Sequence, residues 1–236
     1  MAKMVGYACS IRYLWMKKAV ELLKEGLTES EYKDKMNEYL SFEIDSPTRL
    51  RKTREILMNI WYYEKEEKIT SARNVALDLI EKYPDDEKAV YYCMICITYP
   101  VFSDVCRIMG KLFEFQDEVT NPTLKTKLFD EWGERGALDA TTRRITLTLK
   151  EMGILSDKVK AKYTLNKQLI RSAKVVDFML WIYMMIDSST YYSLIELGDV
   201  SILFPFSYKL KKEEIIQDDK FAISNFGGQM TISLRG

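Results

Sequence analysis

Residues 137–155, with the sequence ALDATTRRITLTLKEMGIL, decide how the fold of this chain is interpreted. Ile145, Leu149 and Met152 recur at helical spacing and form one apolar stripe, which predicts an amphipathic helix. Asp139 is the expected N-cap of this helix, and Gly153 is the residue expected just beyond its C-terminal end. The stretch therefore has a predicted start, a predicted end and one face for a hydrophobic core.

The other side of this helix carries cations and hydroxyl groups. A helical wheel places four residues opposite the apolar stripe: Arg143, Thr146, Leu147 and Lys150. Arg144 lies at the flank of the stripe, and Thr141 and Thr142 lie at the N-terminal end. Arginine can donate two hydrogen bonds to a guanine edge, and threonine offers a hydroxyl group to phosphate and a methyl group to thymine. The pattern predicts a face that contacts a DNA major groove; the alternative is an ordinary solvated helix surface.

The segments on either side favour the DNA interpretation. Residues 122–136, PTLKTKLFDEWGERG, predict an amphipathic helix that ends at Gly136. Residues 154–165, ILSDKVKAKYTL, alternate in polarity and place Lys158, Lys160 and Lys162 on one side of a strand or hairpin. A helix, a short turn, a second helix and a basic hairpin are the order of a winged helix-turn-helix.

A second basic cluster, SPTRLRKTR at residues 46–54, is also predicted to begin a helix. Ser46 is the expected N-cap and Pro47 the first helical residue. The preceding helix, TESEYKDKMNEYL, opens with a capping box between Thr28 and Glu31, so this is a second helix-turn-helix-like unit. Its candidate DNA-binding residues are Ser46, Thr48, Arg49, Arg51, Lys52 and Arg54.

The remaining segments predict a mainly α protein. DDEKAVYYCMICITY is apolar nearly all round and predicts a central buried helix, and KVVDFMLWIYMMID predicts another apolar helix. SILFPFSYKL, FAISNFGG and MTISLRG predict short strands, with a hairpin turn at Gly227-Gly228. The expected fold is a helical bundle with two helix-turn-helix-like units, the second one winged, and a small C-terminal β element. The expected domains are residues 1–120 and 121–236.

Charge and cysteine content narrow the class of protein. The 236 residues have no net charge, yet residues 122–174 carry 12 basic and 6 acidic side chains, and residues 61–121 carry 7 and 12. The longest apolar runs are shorter than a membrane-spanning helix requires, and no signal peptide is expected.

Cys93 and Cys96 form a C-x2-C pair inside an apolar run, so we expect buried hydrophobic side chains rather than a zinc site. A reducing cytoplasm fits four cysteines without a disulfide pattern; the oligomeric state is left open.

Catalytic motifs are missing from the sequence. The chain contains no histidine, which excludes Ser-His-Asp and Cys-His catalysis within it. It has neither a P-loop nor a G-x-G-x-x-G stretch. PDDEK at residues 84–88 is an acidic cluster of the kind found in metal-dependent nucleases, but it is better explained as a helix start, where acidic residues are favoured. We expect no catalytic residues, no metal and no cofactor.

The order of four stretches resembles the BrxA family, small proteins of bacterial phage-exclusion (BREX) defence systems. The stretches are GYACSIRYLWMKKAVELLKEG, SPTRLRKTREIL, YYCMICITYPVFSDVCRIM and TTRRITLTLKEMGIL, and the resemblance covers residues 5–170. It implies a helical protein with helix-turn-helix elements that binds double-stranded DNA without catalysis. The family's basic helix positions would correspond to Arg49, Arg51, Lys52 and Arg54, and to Thr142, Arg143 and Arg144. Residues 175–236 lie outside it and are a possible docking surface for another defence component.

Two functional hypotheses follow from the sequence. The first is a cytoplasmic, non-enzymatic protein that binds double-stranded DNA in phage defence, mostly through phosphate contacts. The second is an adaptor whose basic helices meet acidic surfaces of partner proteins, which the neutral net charge favours. Binding to random duplex DNA distinguishes the two.

Overall fold

Helices form most of the chain in the computed structural model, which describes residues 6–159, 162–226 and 229–235. The first half consists of six helices: α1 (Tyr13–Lys24), α2 (Glu29–Ser41), α3 (Pro47–Trp61), α4 (Glu67–Lys82), α5 (Glu87–Thr98) and α6 (Pro100–Phe113). The middle contains β1 (Val119–Thr120), α7 (Asn121–Trp132), α8 (Gly136–Glu151), β2 (Leu155–Val159), β3 (Lys162–Leu165), β4 (Gln168–Leu169) and α9 (Ala173–Ile186). The last part contains β5 (Tyr192–Ser193), α10 (Leu194–Gly198), a 3-10 helix (Ser201–Leu203), β6 (Phe206–Ser207), α11 (Lys212–Gln217), β7 (Phe221–Phe226) and β8 (Gln229–Leu234). The mainly α class with a small β element is confirmed.

The starts of α2 and α3 follow local capping chemistry. The Thr28 hydroxyl accepts a hydrogen bond from the Glu31 amide, and the Glu31 carboxylate accepts one from the Thr28 amide, which is the predicted capping box. Ser46 accepts from the Arg49 amide, and Pro47 occupies the first helical position. Both predicted helix starts are confirmed.

Helix α5 lies in the centre of the protein, as its apolar sequence predicts. Every residue from Ala89 to Ile97 is buried, and the helix contacts α4, α6 and α9. Cys93 and Cys96 are buried within it, and burial raises the pKa of the Cys93 thiol. Their predicted role as small hydrophobic side chains is confirmed by this burial.

A single hydrophobic cluster joins the two halves of the sequence. It runs from Tyr7 to Ile232 and has members on both sides of residue 120. Helices α4 and α5 from the first half both contact α9 from the second. The division into domains at residues 120 and 121 stays a prediction, but the buried side chains cross it.

The packing of α6 depends on one glycine. A Cβ atom at Gly110 would lie 1.8 Å from the Ser201 carbonyl oxygen and 3.1 Å from the Phe204 Cβ. Only a residue without a side chain lets α6 approach the 3-10 helix so closely. This contact ties the second half of the chain to the helices of the first.

The C-terminal region is partly as predicted. β7 and β8 form an antiparallel pair in a three-stranded sheet of order β5-β8-β7, which confirms the strands expected in FAISNFGG and MTISLRG. Gly227 and Gly228 lie outside the described residues. The strand expected in SILFPFSYKL is mostly wrong, because Ser201–Leu203 form a 3-10 helix against Gly110 and only Phe206–Ser207 are strand.

None of the described helices is by itself long and apolar enough to cross a membrane. α5 and α6 reach that length and hydropathy only as a pair, and their axes differ by 119°.

Candidate nucleic-acid interface

The segment from α6 to β3 has the order of a winged helix-turn-helix. α7 and α8 are joined by residues 133–135, and β2 and β3 form the hairpin that follows them. β1 completes a sheet of order β1-β3-β2 through the pairs Val119↔Tyr163 and Thr120↔Lys162. The predicted order of two helices and a hairpin is present, and α6 and β1 precede these elements in the sequence.

The boundary between α7 and α8 differs from the prediction. α7 ends at Trp132 rather than at Gly136, and Gly133 leaves the helix with a φ of 74°. The buried Trp132 donates a hydrogen bond from Nε1 to Asp104 Oδ2 at 2.8 Å, which fixes this end against α6. Since α8 begins at Gly136, Asp139 lies inside its first turn and is not the N-cap.

The core-facing side and the end of α8 are as predicted. Ile145, Leu149 and Met152 are completely buried. Gly153 has a φ of 73°, and its amide donates to the Lys150 carbonyl oxygen. The Ile154 amide donates to the Leu149 carbonyl oxygen, which completes a Schellman motif.

The threonines of α8 do not face outward, so this part of the predicted DNA contact is wrong. Thr141, Thr142 and Thr146 are each at most 1% exposed. Thr142 donates to the Leu138 carbonyl oxygen at 2.9 Å, and Thr146 donates to the Arg143 carbonyl oxygen and to Asn121. A helical wheel assumes one buried face, whereas α8 is covered by α6, α7, β2 and the N-terminal segment.

The outward face of α8 is smaller and less positive than predicted. Arg143 has a side chain that is 64% exposed, yet it forms an ion pair with Asp139 at 2.5 Å. Lys150 is paired with Asp157 at 2.6 Å. Leu147 is exposed, as expected, and Arg144 is half-buried with no ionic partner among the described residues. Arg143, Arg144 and Leu147 therefore remain available for a contact, with part of the charge neutralised.

The lysines of the β2–β3 hairpin can be placed only in part. Lys162 is exposed and pairs with Glu118 at 2.8 Å. Lys158 belongs to β2 by its backbone, but its side chain lies outside the described part of the structure. Lys160 lies outside the described residues altogether. The predicted basic side of the hairpin therefore stays a prediction.

Among the residues that the structure describes, the start of α3 carries more exposed cationic side chains without an ionic partner than α8 does. Ser46, Thr48, Arg49, Arg51 and Lys52 are all exposed. Within the described ranges, the side chains of Arg49, Arg51 and Lys52 form no hydrogen bond or ion pair. We call these three residues the α3 cationic cluster.

Arg54 does not belong to this exposed cluster. Its side chain is only 15% exposed and donates to Asn37 Oδ1 at 3.0 Å and to Glu55 at 2.8 Å. The sequence pattern groups Arg54 with the α3 cationic cluster as a candidate DNA-binding residue, but its guanidinium group holds α3 against α2 and does not share the exposure of that cluster.

Arg12 connects the approach to α3 with the end of α8. Its guanidinium group pairs with Glu43, which precedes Ser46 by three residues, and lies 3.8 Å from Glu151 at the end of α8. Arg12 has no signal in the sequence, because nothing in its local pattern links residues this far apart in the chain.

Lys127 is a further cation that no sequence motif marks. It is exposed on α7 and unpaired within the described ranges.

The acidic stretch PDDEK is used for structure. Asp86 is 3% exposed and accepts hydrogen bonds from the Arg171 and Ser172 amides, at 3.1 and 2.7 Å. Glu87 accepts from the Tyr13 hydroxyl at 2.5 Å and from Lys17 at 2.7 Å. The described residues contain no group of three or more histidine, cysteine, aspartate or glutamate side chains that could hold a metal ion.

Comparison with protein-family models, with curated proteins and with solved structures gave no match. The resemblance to the BrxA family therefore stays a prediction from the sequence.

Proposed function

We propose that this protein binds double-stranded DNA without catalysing a reaction on it, and that it does so in the bacterial cytoplasm as a component of phage defence. The observation that carries the DNA-binding proposal is the α3 cationic cluster: Arg49, Arg51 and Lys52 lie exposed and unpaired at a helix start. The defence context rests on the sequence resemblance alone.

Phosphate groups are the ligands that best suit the start of α3. The N-terminal end of a helix carries a partial positive charge, which attracts anions. Arginine and lysine add full charges within the first two turns, and Ser46 and Thr48 place hydroxyl groups nearby. Such contacts depend on the DNA backbone and not on base identity, so sequence preference is expected to be low.

Helix α8 supports the same proposal with a smaller contribution. Arg143 and Leu147 face solvent in the helix that a helix-turn-helix protein lays in the major groove. However, Asp139 neutralises Arg143 in the free protein, so a phosphate or base must compete with that carboxylate. We therefore assign more of the binding free energy to the α3 cationic cluster than to α8.

A comparison of two triple variants tests this proposal. Binding of a fluorescent random-sequence duplex is measured for the parent protein, for Arg49→Ala/Arg51→Ala/Lys52→Ala and for Lys209→Ala/Lys211→Ala/Lys212→Ala. The second variant removes the same charge from exposed lysines that also lack ionic partners within the described ranges. We expect the first variant to raise Kd at least about tenfold and the second to change it little.

Two outcomes would overturn the proposal. If the parent protein does not bind duplex DNA, the proposed DNA-binding function is wrong. Equal weakening by both triple variants would show that binding depends on total charge and has no site at α3.

The adaptor hypothesis keeps some support from large apolar side chains on the surface. Phe42 is 83% exposed, and Phe115 and Ile195 are each 88% exposed. Apolar side chains can pack against a partner protein, whereas they offer no hydrogen bond to a phosphate group. If duplex binding is absent while a triple variant of these residues loses a protein partner from the same defence system, the adaptor hypothesis replaces the DNA hypothesis.

A further inference from the structure

Among the described residues, the outer edge of β7 has no neighbouring strand, because β7 is the last strand of the sheet of order β5-β8-β7. Its sequence, FAISNF at residues 221–226, has no charged residue and no proline. Proteins usually protect an edge strand with charges, prolines, bulges or a covering element, because its free backbone groups invite another strand.

The hydrogen-bond pattern shows which backbone groups face this edge. β7 and β8 pair residue for residue without a bulge, from Phe221↔Leu234 to Phe226↔Gln229. The Arg235 amide donates to the Lys220 carbonyl oxygen at 2.9 Å, one step beyond the first pair. Because hydrogen-bonded and non-bonded pairs alternate, the even-numbered residues of β7 bond to β8 and the odd-numbered ones point away.

The outward groups of Ile223 and Asn225 have no partner in the described structure. The Phe221 amide, which also points outward, already donates to the Asp218 carbonyl oxygen at 3.2 Å. No hydrogen bond from another described element reaches the backbone of Ile223 or Asn225, and Ile223 is 36% exposed. Two amides and two carbonyl oxygens therefore form a free hydrogen-bonding edge.

We propose that the occupant of this edge is β7 of a second copy of the chain, paired antiparallel about a twofold axis at Ser224. In this register Ile223 lies opposite Asn225 of the second copy, and Asn225 lies opposite its Ile223. Both pairs are hydrogen-bonded pairs, so four bonds use all four free groups in each copy. The result is one continuous six-stranded sheet across two copies.

The uncharged side chains of β7 favour pairing with an identical strand over pairing with a charged strand of another protein. The paired segment carries no charge, so the twofold axis places no like charges opposite one another. Ser224 would meet its own counterpart, and Lys220 would lie beyond the paired residues. α11 packs against β7 and carries Ile216, which is 46% exposed, so each copy also offers apolar surface beside the edge. This inference does not depend on DNA binding.

Backbone substitution at Asn225 tests the proposal. Asn225→Pro removes the outward amide and places a ring where the second strand would lie, whereas Asn225→Ala keeps the amide and is the matched control. Sedimentation equilibrium is measured over a wide range of protein concentration. The parent chain and Asn225→Ala are expected to reach the mass of a dimer, and Asn225→Pro is expected to keep the mass of a monomer. A parent chain that remains monomeric throughout, or a dimer that survives Asn225→Pro, overturns the proposal.

Hydrogen exchange of the parent protein gives a test that needs no variant. The Ala222 and Ser224 amides bond to β8 in either state, so their protection should not depend on protein concentration. The Ile223 and Asn225 amides should become at least about tenfold more protected as the dimer forms. Equal behaviour of odd and even positions would show that a dimer, if present, uses another surface.

Two variants of Ser224 with opposite charges test whether the twofold axis lies at this residue. Ser224→Lys and Ser224→Glu each place like charges opposite one another in a dimer, which should weaken it several-fold. Both variants also lose the hydrogen bond between the Ser224 and Thr231 hydroxyl groups, so they are matched in that respect. An equal mixture should form the mixed dimer more tightly than either variant forms its own. No gain on mixing would overturn the register at Ser224.

Discussion

Thr148 holds the N-terminal segment against α8 through one hydroxyl group. Its Oγ1 atom lies 2.8 Å from the Tyr7 hydroxyl, accepts from the Ile11 amide at 3.0 Å and donates to the Arg144 carbonyl oxygen at 3.1 Å. Thr148 is completely buried, so water cannot replace these bonds. A residue in the middle of the candidate recognition helix therefore serves the fold.

Replacing this hydroxyl by a methyl group should destabilise the protein. In Thr148→Val the Ile11 amide and the Tyr7 hydroxyl lose their buried partner, and the free energy of unfolding should fall by about 1–3 kcal/mol. The matched change Thr48→Val, at an exposed position of α3, should alter it by less than about 0.5 kcal/mol. Urea denaturation of both variants measures the difference, and equal stabilities would contradict the assigned role.

Asp177 makes stability depend on pH. It is 2% exposed, its Oδ2 atom has no hydrogen-bond partner within the described structure, and Lys174 Nζ lies 3.7 Å away. Burial, together with the nearby Asp218 carboxylate and against the effect of Lys174, raises the pKa of Asp177 to about 6. The folded protein therefore binds this proton more tightly than the unfolded chain.

Because the pKa of Asp177 is higher in the folded protein than in the unfolded chain, the contribution of Asp177 to stability is larger at low pH. Stability contributed by protonated Asp177 is fully present below about pH 4 and is lost as the pH rises through about 6, by up to about 3 kcal/mol. Asp177→Asn stays neutral, so it should be more stable than the parent at pH 7.5 and lose most of this advantage at pH 4.5. Denaturation at both pH values measures it. A constant difference between the two proteins would show that Asp177 titrates normally.

At the scale of elements, α8 shows what a helical pattern can predict. The spacing of Ile145, Leu149 and Met152 identified the buried stripe, and Gly153 identified the end. The same spacing could not show that Thr141 and Thr146 are buried as well, because that depends on how many neighbours surround the helix. Only the folded structure shows that α6, α7, β2 and the N-terminal segment all pack against α8 and leave it a narrow exposed face.

The exposed face of α8 should matter for binding and not for folding. Arg143→Ala/Arg144→Ala removes one surface ion pair and the half-buried side chain of Arg144 but leaves Ile145, Leu149 and Met152 in place, so the free energy of unfolding should change by only about 0.5 kcal/mol. Duplex affinity should fall by about 1–3 kcal/mol if an arginine contacts a base edge.

Leu149→Ala is the control with the opposite pattern. It should cost about 2–5 kcal/mol of stability, because it leaves a cavity in the core. Thermal denaturation and fluorescence anisotropy measure both properties. Unchanged DNA binding by the double arginine variant would exclude α8 as a contact surface.

The close contact between α6 and the 3-10 helix predicts different effects for alanine at Gly110 and at Gly136, which serves as the control. Gly110→Ala must displace the Ser201 backbone and should destabilise the protein by about 1–3 kcal/mol. Gly136→Ala, in the first turn of α8, meets no atom within 4 Å and should be neutral or stabilise by up to about 1 kcal/mol. Guanidinium denaturation compares the two variants. Equal effects would show that the close approach at Gly110 is not required.

At the scale of the whole molecule, the proposed function depends on charges that lie far apart in the sequence. If the α3 cationic cluster, Arg143 and Arg144 each contact one phosphate per cation, as proposed, about five contacts form and log Kd should rise with log salt concentration with a slope of about 4 to 5. Titrations of duplex DNA at several salt concentrations measure the slope. A flat profile would contradict binding through phosphate groups.

The sequence by itself determined the mainly α class, the starts of α2 and α3, the end of α8, the buried α5 and the β7–β8 pair. These features depend on capping residues, glycines and apolar periodicity, all of which act over a few residues. The tertiary structure alone decided that Thr146 is buried, that Arg54 and Asp86 hold elements together, and that no described strand pairs with the outer edge of β7. Each of these depends on contacts between residues distant in the chain, and no local pattern encodes which element covers a given face.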